Sequence, residues 1–288
     1  MKLFKQIIFI MVAIVLAIPF SLTSFAHTNS SNIQHDAANN KWDIYETGHS
    51  ITRHSSGNGI YVICDSSLTS QNSYSTTWNN YVNNAISAWT NVTFNGSNIF
   101  SGKLARKTDT YSLSSTDLEK QKTLVKIYAV RDADERYWGQ TMFFNDEATY
   151  YSRTSSGKHV KYIRIKLNLA NLDLKTVSNK KYTIIHELGH VIGLADLSSS
   201  FDDASYSDCL MGYKNYSTLA PQSSDIKGAA VIAGYHTSHT MSICGQYIND
   251  DGEIDSQYHK MSCSTCDGYV TVAHTWSSGK CRQCGYVQ

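Results

Sequence analysis

The stretch from His186 to Asp196, His-Glu-Leu-Gly-His-Val-Ile-Gly-Leu-Ala-Asp, constrains this chain more than any other. Residues four apart on a helix lie on one face, so the imidazoles of His186 and His190 project to the same side. Two such imidazoles can bind one zinc ion, with Glu187 beside them to transfer a proton. Gly193 permits a sharp exit from the helix, so that Asp196 can return to the metal as a third ligand. The alternative is a helix with incidental histidines, in which Asp196 is an ordinary turn residue.

The amino terminus has the three parts of a secretory signal peptide. Two lysines precede an apolar run at residues 7–20, and small residues follow at 24–26. We therefore predict that residues 1–26 are a signal peptide cleaved after Ala26, and that the mature chain is secreted. An uncleaved anchor is the alternative, but the apolar run is short for a membrane span. The rest of the sequence contains no run long and apolar enough to cross a bilayer.

Composition and cysteine placement divide the remaining chain. Residues 27–56 are rich in Asn, Ser and His and are predicted to be a flexible leader or a short propeptide. Residues 57–240 are numerous enough for one sizeable core, and residues 241–257 contain an acidic run typical of a solvated linker. Residues 258–288 hold four of the seven cysteines and form a separate module. The net charge of +1, with scattered Lys and Arg, suggests no nucleic-acid-binding patch, and we expect a monomer with no nucleic-acid partner.

Hydrophobic periodicity predicts an α+β fold. Residues 95–120 lack a period and are predicted to be loop, whereas residues 132–149 have no assignable pattern. The predicted strands and helices are strands at 60–64, 124–130 and 162–169, an amphipathic helix at 78–89 with Thr76 or Thr77 as N-cap, the motif helix with Ser178 or Asn179 as N-cap, and a last helix at 223–233.

The strand at residues 162–169 alternates aliphatic residues with Arg164, Lys166 and Asn168. This alternation predicts a strand that is buried on one face. The charged opposite face suits the edge of a sheet, where a strand beside a metal cleft can bind an extended peptide by β-augmentation. An ordinary structural edge strand is the alternative.

Two smaller features leave alternatives open. Asp132, Asp134 and Glu135 could hold a calcium ion, or they could form a solvated acidic turn. Cys64, within a β-branched run, is expected to be a small buried hydrophobe or one half of a disulfide.

The long motif resembles that of the metzincin zinc peptidases, H-E-x-x-H-x-x-G-x-x-H, and the snapalysin-like bacterial members end it in Asp, as Asp196 does here. Leu210-Met-Gly-Tyr213 resembles the Met-turn that lies beneath the zinc in this clan. Residues 224–235 and 85–94 resemble the closing helix and the first helix of the matrixins. The resemblance implies a metzincin-like catalytic domain, with a twisted mixed sheet, an active-site helix and a C-terminal helix.

The residues and the resemblance together predict a zinc-dependent metalloendopeptidase that acts on protein or peptide substrates. Zinc with three protein ligands keeps a position for water, and Glu187 acts as general base towards that water. Tyr213 occupies the tyrosine position of astacin-like members, which implies oxyanion stabilisation; a buried structural tyrosine is the alternative. Met211 is interpreted as packing beneath the site. Two rival functions remain: a zinc amide hydrolase acting on cell-wall peptides, and a non-catalytic surface-binding protein with a protease-like domain.

The last part of the chain contains two Cys-x-x-Cys pairs separated by fourteen residues, close to the spacing of zinc sites. The segment resembles the small zinc-ribbon repeats at the ends of bacterial surface proteins, which implies a second zinc ion and a cell-surface ligand. Two disulfides are the alternative. The predicted thiolate ligands are Cys263, Cys266, Cys281 and Cys284, with His259 and His274 as substitutes if a cysteine is not used.

Overall fold

The computed structural model describes residues 25–26, 59–69, 75–144, 160–197, 209–212, 219–236, 238–249 and 251–287. The predicted leader at 27–56 and the predicted signal peptide before Phe25 lie outside these residues, and so does Tyr213. The chain divides into two compact units, residues 34–236 in one and residues 1–33 with 237–288 in the other. Among the described helices, none has the length and apolar character needed to cross a membrane.

The described residues form mixed sheets with a few helices, which confirms the α+β class at that level. In chain order the elements are β1 (Phe25–Ala26), β2 (Ile60–Cys64), α1 (Ser66–Thr69), α2 (Ser75–Thr90), β3 (Thr93–Phe94), β4 (Ser97–Asn98), β5 (Leu104–Arg106), α3 (Ser115–Glu119), β6 (Thr123–Val130), β7 (Gly139–Phe144), β8 (Tyr162–Asn168), α4 (Leu169–Leu172), α5 (Val177–Ile192), α6 (Ser223–Ile232), β9 (Ser238–His239), β10 (Met241–Ile248), β11 (Ile254–Cys263), β12 (Tyr269–Ala273), β13 (Trp276–Ser277) and β14 (Lys280–Cys281).

The larger unit is built on a five-stranded sheet with the order β5-β2-β6-β8-β7. The first four strands are parallel, and β7 runs antiparallel to β8. Helices α2 and α5 pack against each other, and the indole Nε1 of Trp89 donates a hydrogen bond of 2.9 Å to the Ile185 carbonyl. Because Trp89 is fully buried, this bond fixes the motif helix α5 to a rigid core.

The prediction that residues 162–169 form the sheet edge is wrong, because β8 lies between β6 and β7. Its charged side chains lie over aromatic rings, with the Arg164 guanidinium 4.5 Å from the Phe144 ring and the Lys166 Nζ 4.5 Å from the Tyr137 ring. Alternation therefore indicated which face of the strand is polar, and it carried no information on strand order. The last strand of the sheet is β7, from the stretch without an assignable pattern.

The N-cap of helix α5 lies two or three residues before the predicted caps Ser178 and Asn179. Thr176 is the N-cap, and its Oγ1 accepts a hydrogen bond of 3.2 Å from the Asn179 backbone N–H. Asn179 Oδ1 accepts in return from the Thr176 N–H at 3.3 Å, so Asn179 is the reciprocal partner of the cap. The predicted loop at 95–120 contains β4, β5 and α3, which are too short to show a period in the sequence. The predicted strand at 60–64 and the helix beginning at Ser223 are confirmed.

The smaller unit contains a three-stranded antiparallel sheet, β10-β11-β12, and the hairpin of β13 with β14. The predicted linker at 241–257 is wrong, because this stretch supplies β10 and the start of β11. Its acidic run forms the turn between them, where Asn249 Oδ1 accepts from the N–H groups of Asp251 at 3.1 Å and Glu253 at 2.9 Å. A run of Asn, Asp and Gly is typical of a hairpin turn as well as of a linker, so composition does not distinguish the two.

Candidate metal centre

Helix α5 ends where the motif requires a change of direction. Gly193 has a φ of 115°, a left-handed conformation that favours glycine. Its N–H donates to the carbonyls of Gly189 at 3.1 Å and His190 at 3.0 Å, and the Leu194 N–H donates to Gly189 at 3.0 Å. These bonds close the helix in one turn, so the chain can bring Asp196 back towards the two histidines.

The three candidate ligands come together. Nε2 of His186 lies 3.0 Å from Asp196 Oδ1, and Nε2 of His190 lies 3.4 Å from the same oxygen. One donor atom from each residue lies within 4.8 Å of the others. Both imidazoles are about nine-tenths buried, each with 6% exposure, so the donor atoms converge at the edge of the core. Two imidazoles and one carboxylate form a three-ligand donor set that suits catalytic zinc, whose fourth position takes water or substrate.

Backbone carbonyls orient both imidazoles. Nδ1 of His186 lies 3.0 Å from the Leu210 carbonyl oxygen, and Nδ1 of His190 lies 2.8 Å from that of Leu194. A carbonyl oxygen only accepts, so each Nδ1 carries a proton and each Nε2 faces Asp196, where it donates to the carboxylate when protonated or offers its lone pair to a metal ion. Such contacts fix the tautomer and the ring orientation of metal-binding histidines.

The charges of the three groups favour a cation between them. Burial lowers the pKa of His190, but the Asp196 carboxylate outweighs burial and raises it to about 9. Burial raises the pKa of Asp196, but the two imidazoles outweigh it and hold that pKa well below its usual range. The carboxylate therefore stays ionised and stabilises positive charge on its neighbours, whether a proton or a metal ion supplies that charge.

Glu187 is held by β7, which was not predicted. Its Oε2 accepts a hydrogen bond of 2.7 Å from Thr141 Oγ1, and both residues are buried. Gly139 passes so close that a Cβ there would lie 2.6 Å from Glu187 Oε1. Only a residue without a side chain fits this approach. Neither Gly139 nor Thr141 was identified from the sequence, because residues 132–149 showed no periodic pattern.

Met211 packs beneath helix α5, as expected from the resemblance to the Met-turn. The side chain has 1% exposure, and a Cβ at Gly189 would lie 2.4 Å from its sulfur. The absence of a side chain at Gly189, within the motif, thus allows the thioether to contact the helix backbone.

Two residues that sequence reasoning missed hold the turn at 209–212 against the histidines. The Asp225 carboxylate, fully buried on α6, accepts hydrogen bonds from the N–H groups of Leu210 at 2.8 Å, Met211 at 3.2 Å and Gln222 at 2.8 Å. The Tyr182 hydroxyl lies 2.8 Å from the Leu210 carbonyl oxygen. Because that carbonyl also orients His186, Asp225 acts on the site through the backbone. An Asp in the first turn of a helix is commonly a capping residue, so its position in the sequence does not indicate these contacts with the turn.

The structure separates the four cysteines of the predicted second zinc site. Cys281 and Cys284 come together with His259 and His274, and one donor atom from each lies within 4.8 Å of the others. Cys263 and Cys266 are not in that group; they flank the turn that follows β11.

The structure also describes the two smaller sequence features, the acidic residues near Asp132 and the buried Cys64. Within the described residues, Asp132, Asp134 and Glu135 do not form a metal-ligating group, and Asp132 Oδ1 accepts from the Asp134 N–H at 3.1 Å. Cys64 is a buried residue of β2 and does not form a disulfide within the described part of the chain. Burial raises the pKa of its thiol to about 11, as expected for a small buried hydrophobe.

Comparison with known proteins adds little to this geometry. No family model and no curated protein matches the chain. Among solved structures it is similar to a chain in the GM1-bound form of the ECX AB5 holotoxin, with 14% identity and a TM-score of 0.38, over 69% of this chain and 91% of that chain. A similarity this weak assigns neither a fold family nor a function. Any assignment of function therefore rests on the residues of the site.

Proposed function

We propose that this chain is a secreted zinc-dependent metalloendopeptidase of metzincin type. The convergence of His186, His190 and Asp196 next to the general-base candidate Glu187 carries the proposal. The predicted signal peptide supports export, and the resemblance of the motif to the metzincins supports the peptidase class.

Each residue of the site has a role in this proposal. His186, His190 and Asp196 would hold the zinc ion. When bound, the ion would supply a Lewis acid that polarises a peptide carbonyl and acidifies water. Glu187 takes a proton from the attacking water and donates it to the departing amine. Thr141 holds the Glu187 carboxylate in one orientation, because its hydroxyl donates to Oε2 at 2.7 Å.

The position of β7 supports an extended peptide as the substrate. It is the last strand of the sheet in the described chain, and its residues Gly139 and Thr141 contact Glu187. A peptide that added to this strand would run past the general base. The β-augmentation hypothesis therefore moves from β8, where the sequence suggested it, to β7.

Removal of the metal tests the proposal directly. We expect a chelator to abolish casein hydrolysis by the secreted protein and added zinc to restore it, since the three ligands leave a position for water. Purified cell-wall peptides are assayed in parallel. Casein hydrolysis that survives complete removal of zinc would contradict the proposal. Cleavage of the cell-wall peptides alone would identify an amide hydrolase instead, and no cleavage of either would favour a binding protein.

Replacement of Thr141 tests how Glu187 is positioned. We expect Thr141→Val to lower kcat by about 10- to 100-fold with little change in KM and zinc content, because it removes a bond to the general base without removing a ligand. Thr141→Ser is the matched control, since it keeps the hydroxyl and should retain most of the activity. Equal losses in the two variants would show that the threonine methyl, rather than the hydrogen bond, matters.

A further inference from the structure

The cluster of two histidines and two cysteines in the smaller unit lies outside the proposed active site. The geometry points to a structural zinc site formed by His259, His274, Cys281 and Cys284, in place of the four-cysteine site predicted from the sequence. The inference is independent of the proposed function, since none of these residues belongs to the unit that holds Glu187.

Strand pairing brings the two histidines together. His259 lies opposite Val272 in the β11–β12 ladder, and the His274 N–H donates to the Gln257 carbonyl at 2.9 Å, which extends the pairing past the end of β12. Val272 and His274 are two residues apart, so their side chains lie on the same face. His259 and His274 are therefore diagonal neighbours, with ring centroids 5.1 Å apart.

The hairpin of β13 and β14 brings the cysteines to this pair. It begins two residues after His274, and Cys281 lies opposite Trp276. The Cys281–Cys284 turn has the form of a metal knuckle: the Gln283 N–H lies 3.5 Å from Cys281 Sγ, and Gly285, with a φ of 73°, donates to the Cys281 carbonyl at 3.0 Å. Cys284 Sγ lies 3.5 Å from Nδ1 of His274.

The distances suit a tetrahedral ion. Zinc–sulfur bonds of about 2.3 Å and zinc–nitrogen bonds of about 2.0 Å place tetrahedral ligand atoms roughly 3.3 to 3.8 Å apart. The four donor atoms lie within 4.8 Å of one another, so small movements would close the site. Four protein ligands leave no position for a substrate, which is typical of a structural ion.

The buried ring nitrogens of the two histidines are independent evidence for a bound ligand. His259 has 0% exposure, and neither of its ring nitrogens has a hydrogen-bond partner among the described residues. Nε2 of His274 is buried and likewise lacks a partner there. Buried polar atoms normally have partners, because desolvation without one costs free energy. A bound ion would give each ring a partner.

The same geometry explains why Cys263 and Cys266 are not ligands of the ion at His259. His259 and Cys263 lie four residues apart on the continuous strand β11, and four residues of strand span roughly 13 Å. One ion cannot contact both. The spacing of the cysteines in the sequence does not reveal this distance. It contains no information on where the histidines lie or on the hairpin between the two cysteine pairs.

The test measures zinc per chain in the full-length secreted protein. A His186→Ala, His190→Ala background removes the candidate active-site ligands, so that any retained zinc belongs to the smaller unit and the result is independent of peptidase activity. We expect about one zinc ion per chain on this background. His259→Ala and Cys281→Ser should lose it, and Cys263→Ser, the matched control, should keep it. Equal loss in Cys263→Ser and Cys281→Ser, with zinc retained in His259→Ala, would overturn the assignment.

Cobalt substitution distinguishes the loss of a metal ligand from the unfolding of a variant. The cobalt-loaded protein should show thiolate-to-metal absorption of a two-thiolate site, and His274→Cys should keep the ion and increase that absorption by about half, because a third thiolate replaces an imidazole. An ion that is retained in His274→Cys with unchanged thiolate absorption would overturn the role of His274 as a ligand. Alkylation that shows a disulfide between Cys281 and Cys284 in freshly purified protein would overturn the site.

Discussion

Replacing Glu187 with Gln should lower casein hydrolysis by about 100- to 10,000-fold while leaving the zinc content unchanged, because general acid–base catalysis contributes a factor of this size. Gln has nearly the same shape as Glu and can still accept a hydrogen bond from Thr141 Oγ1, which lies 2.7 Å from Oε2 in the native protein. It cannot take a proton from water. The loss should therefore appear in kcat.

The matched control for this variant is Glu119→Gln, at an exposed position at the end of α3. It makes the same chemical change away from the site and should leave both activity and stability as they are. Zinc is quantified in both variants by elemental analysis. Undiminished hydrolysis in a zinc-loaded Glu187→Gln protein would refute the role of Glu187 and, with it, the proposed mechanism.

Replacing Asp225 with Ala should destabilise the larger unit by about 3 kcal/mol or more. The change leaves the buried N–H groups of Leu210 and Met211 and the partly buried N–H of Gln222 without their acceptor, and each buried unsatisfied donor costs about 1 to 3 kcal/mol. The Leu210 carbonyl, 3.0 Å from Nδ1 of His186, should shift with the turn. We therefore also expect zinc affinity to fall by about 10-fold or more, as when other groups that orient metal ligands are changed.

Denaturant unfolding monitored by tryptophan fluorescence measures the first effect, and competition with a chelator measures the second. Asp134→Ala removes an exposed carboxylate from the same unit and should change neither quantity. Asp225→Asn keeps one acceptor oxygen but places an amide donor against backbone donors, so its stability should lie between those of the native protein and Asp225→Ala. An Asp225→Ala protein as stable as the native chain would contradict the structural role of this carboxylate.

The part of the candidate site that could be predicted from sequence is the part that one helix and its exit determine. His186 and His190 share a helical face because of their spacing, and Gly193 turns the chain within a few residues towards Asp196. These relations are local, so geometry follows from sequence separation. The packing of Met211 beneath the helix came from a resemblance, and the contact with Gly189 gives it a physical reason.

The groups that control these residues come from distant parts of the chain and were not predicted. Thr141 holds Glu187 from another strand, and Asp225 supports His186 through a backbone turn. Alternating charge suggested an edge position for β8, but strand order follows from pairing with β6 and β7, which periodicity within one strand does not record.

The cysteine module at residues 258–288 shows the same difference between local relations and contacts between distant residues. Spacing in the chain identified two Cys-x-x-Cys turns and two nearby histidines, because a knuckle is a local turn. Which of these six side chains meet depends on the register of β11 with β12 and on the β13–β14 hairpin, which place Cys281 and Cys284 beside His259 and His274. Local hydrogen bonding and helical geometry thus follow from sequence alone, whereas the meeting of distant side chains depends on strand register and packing across the whole unit.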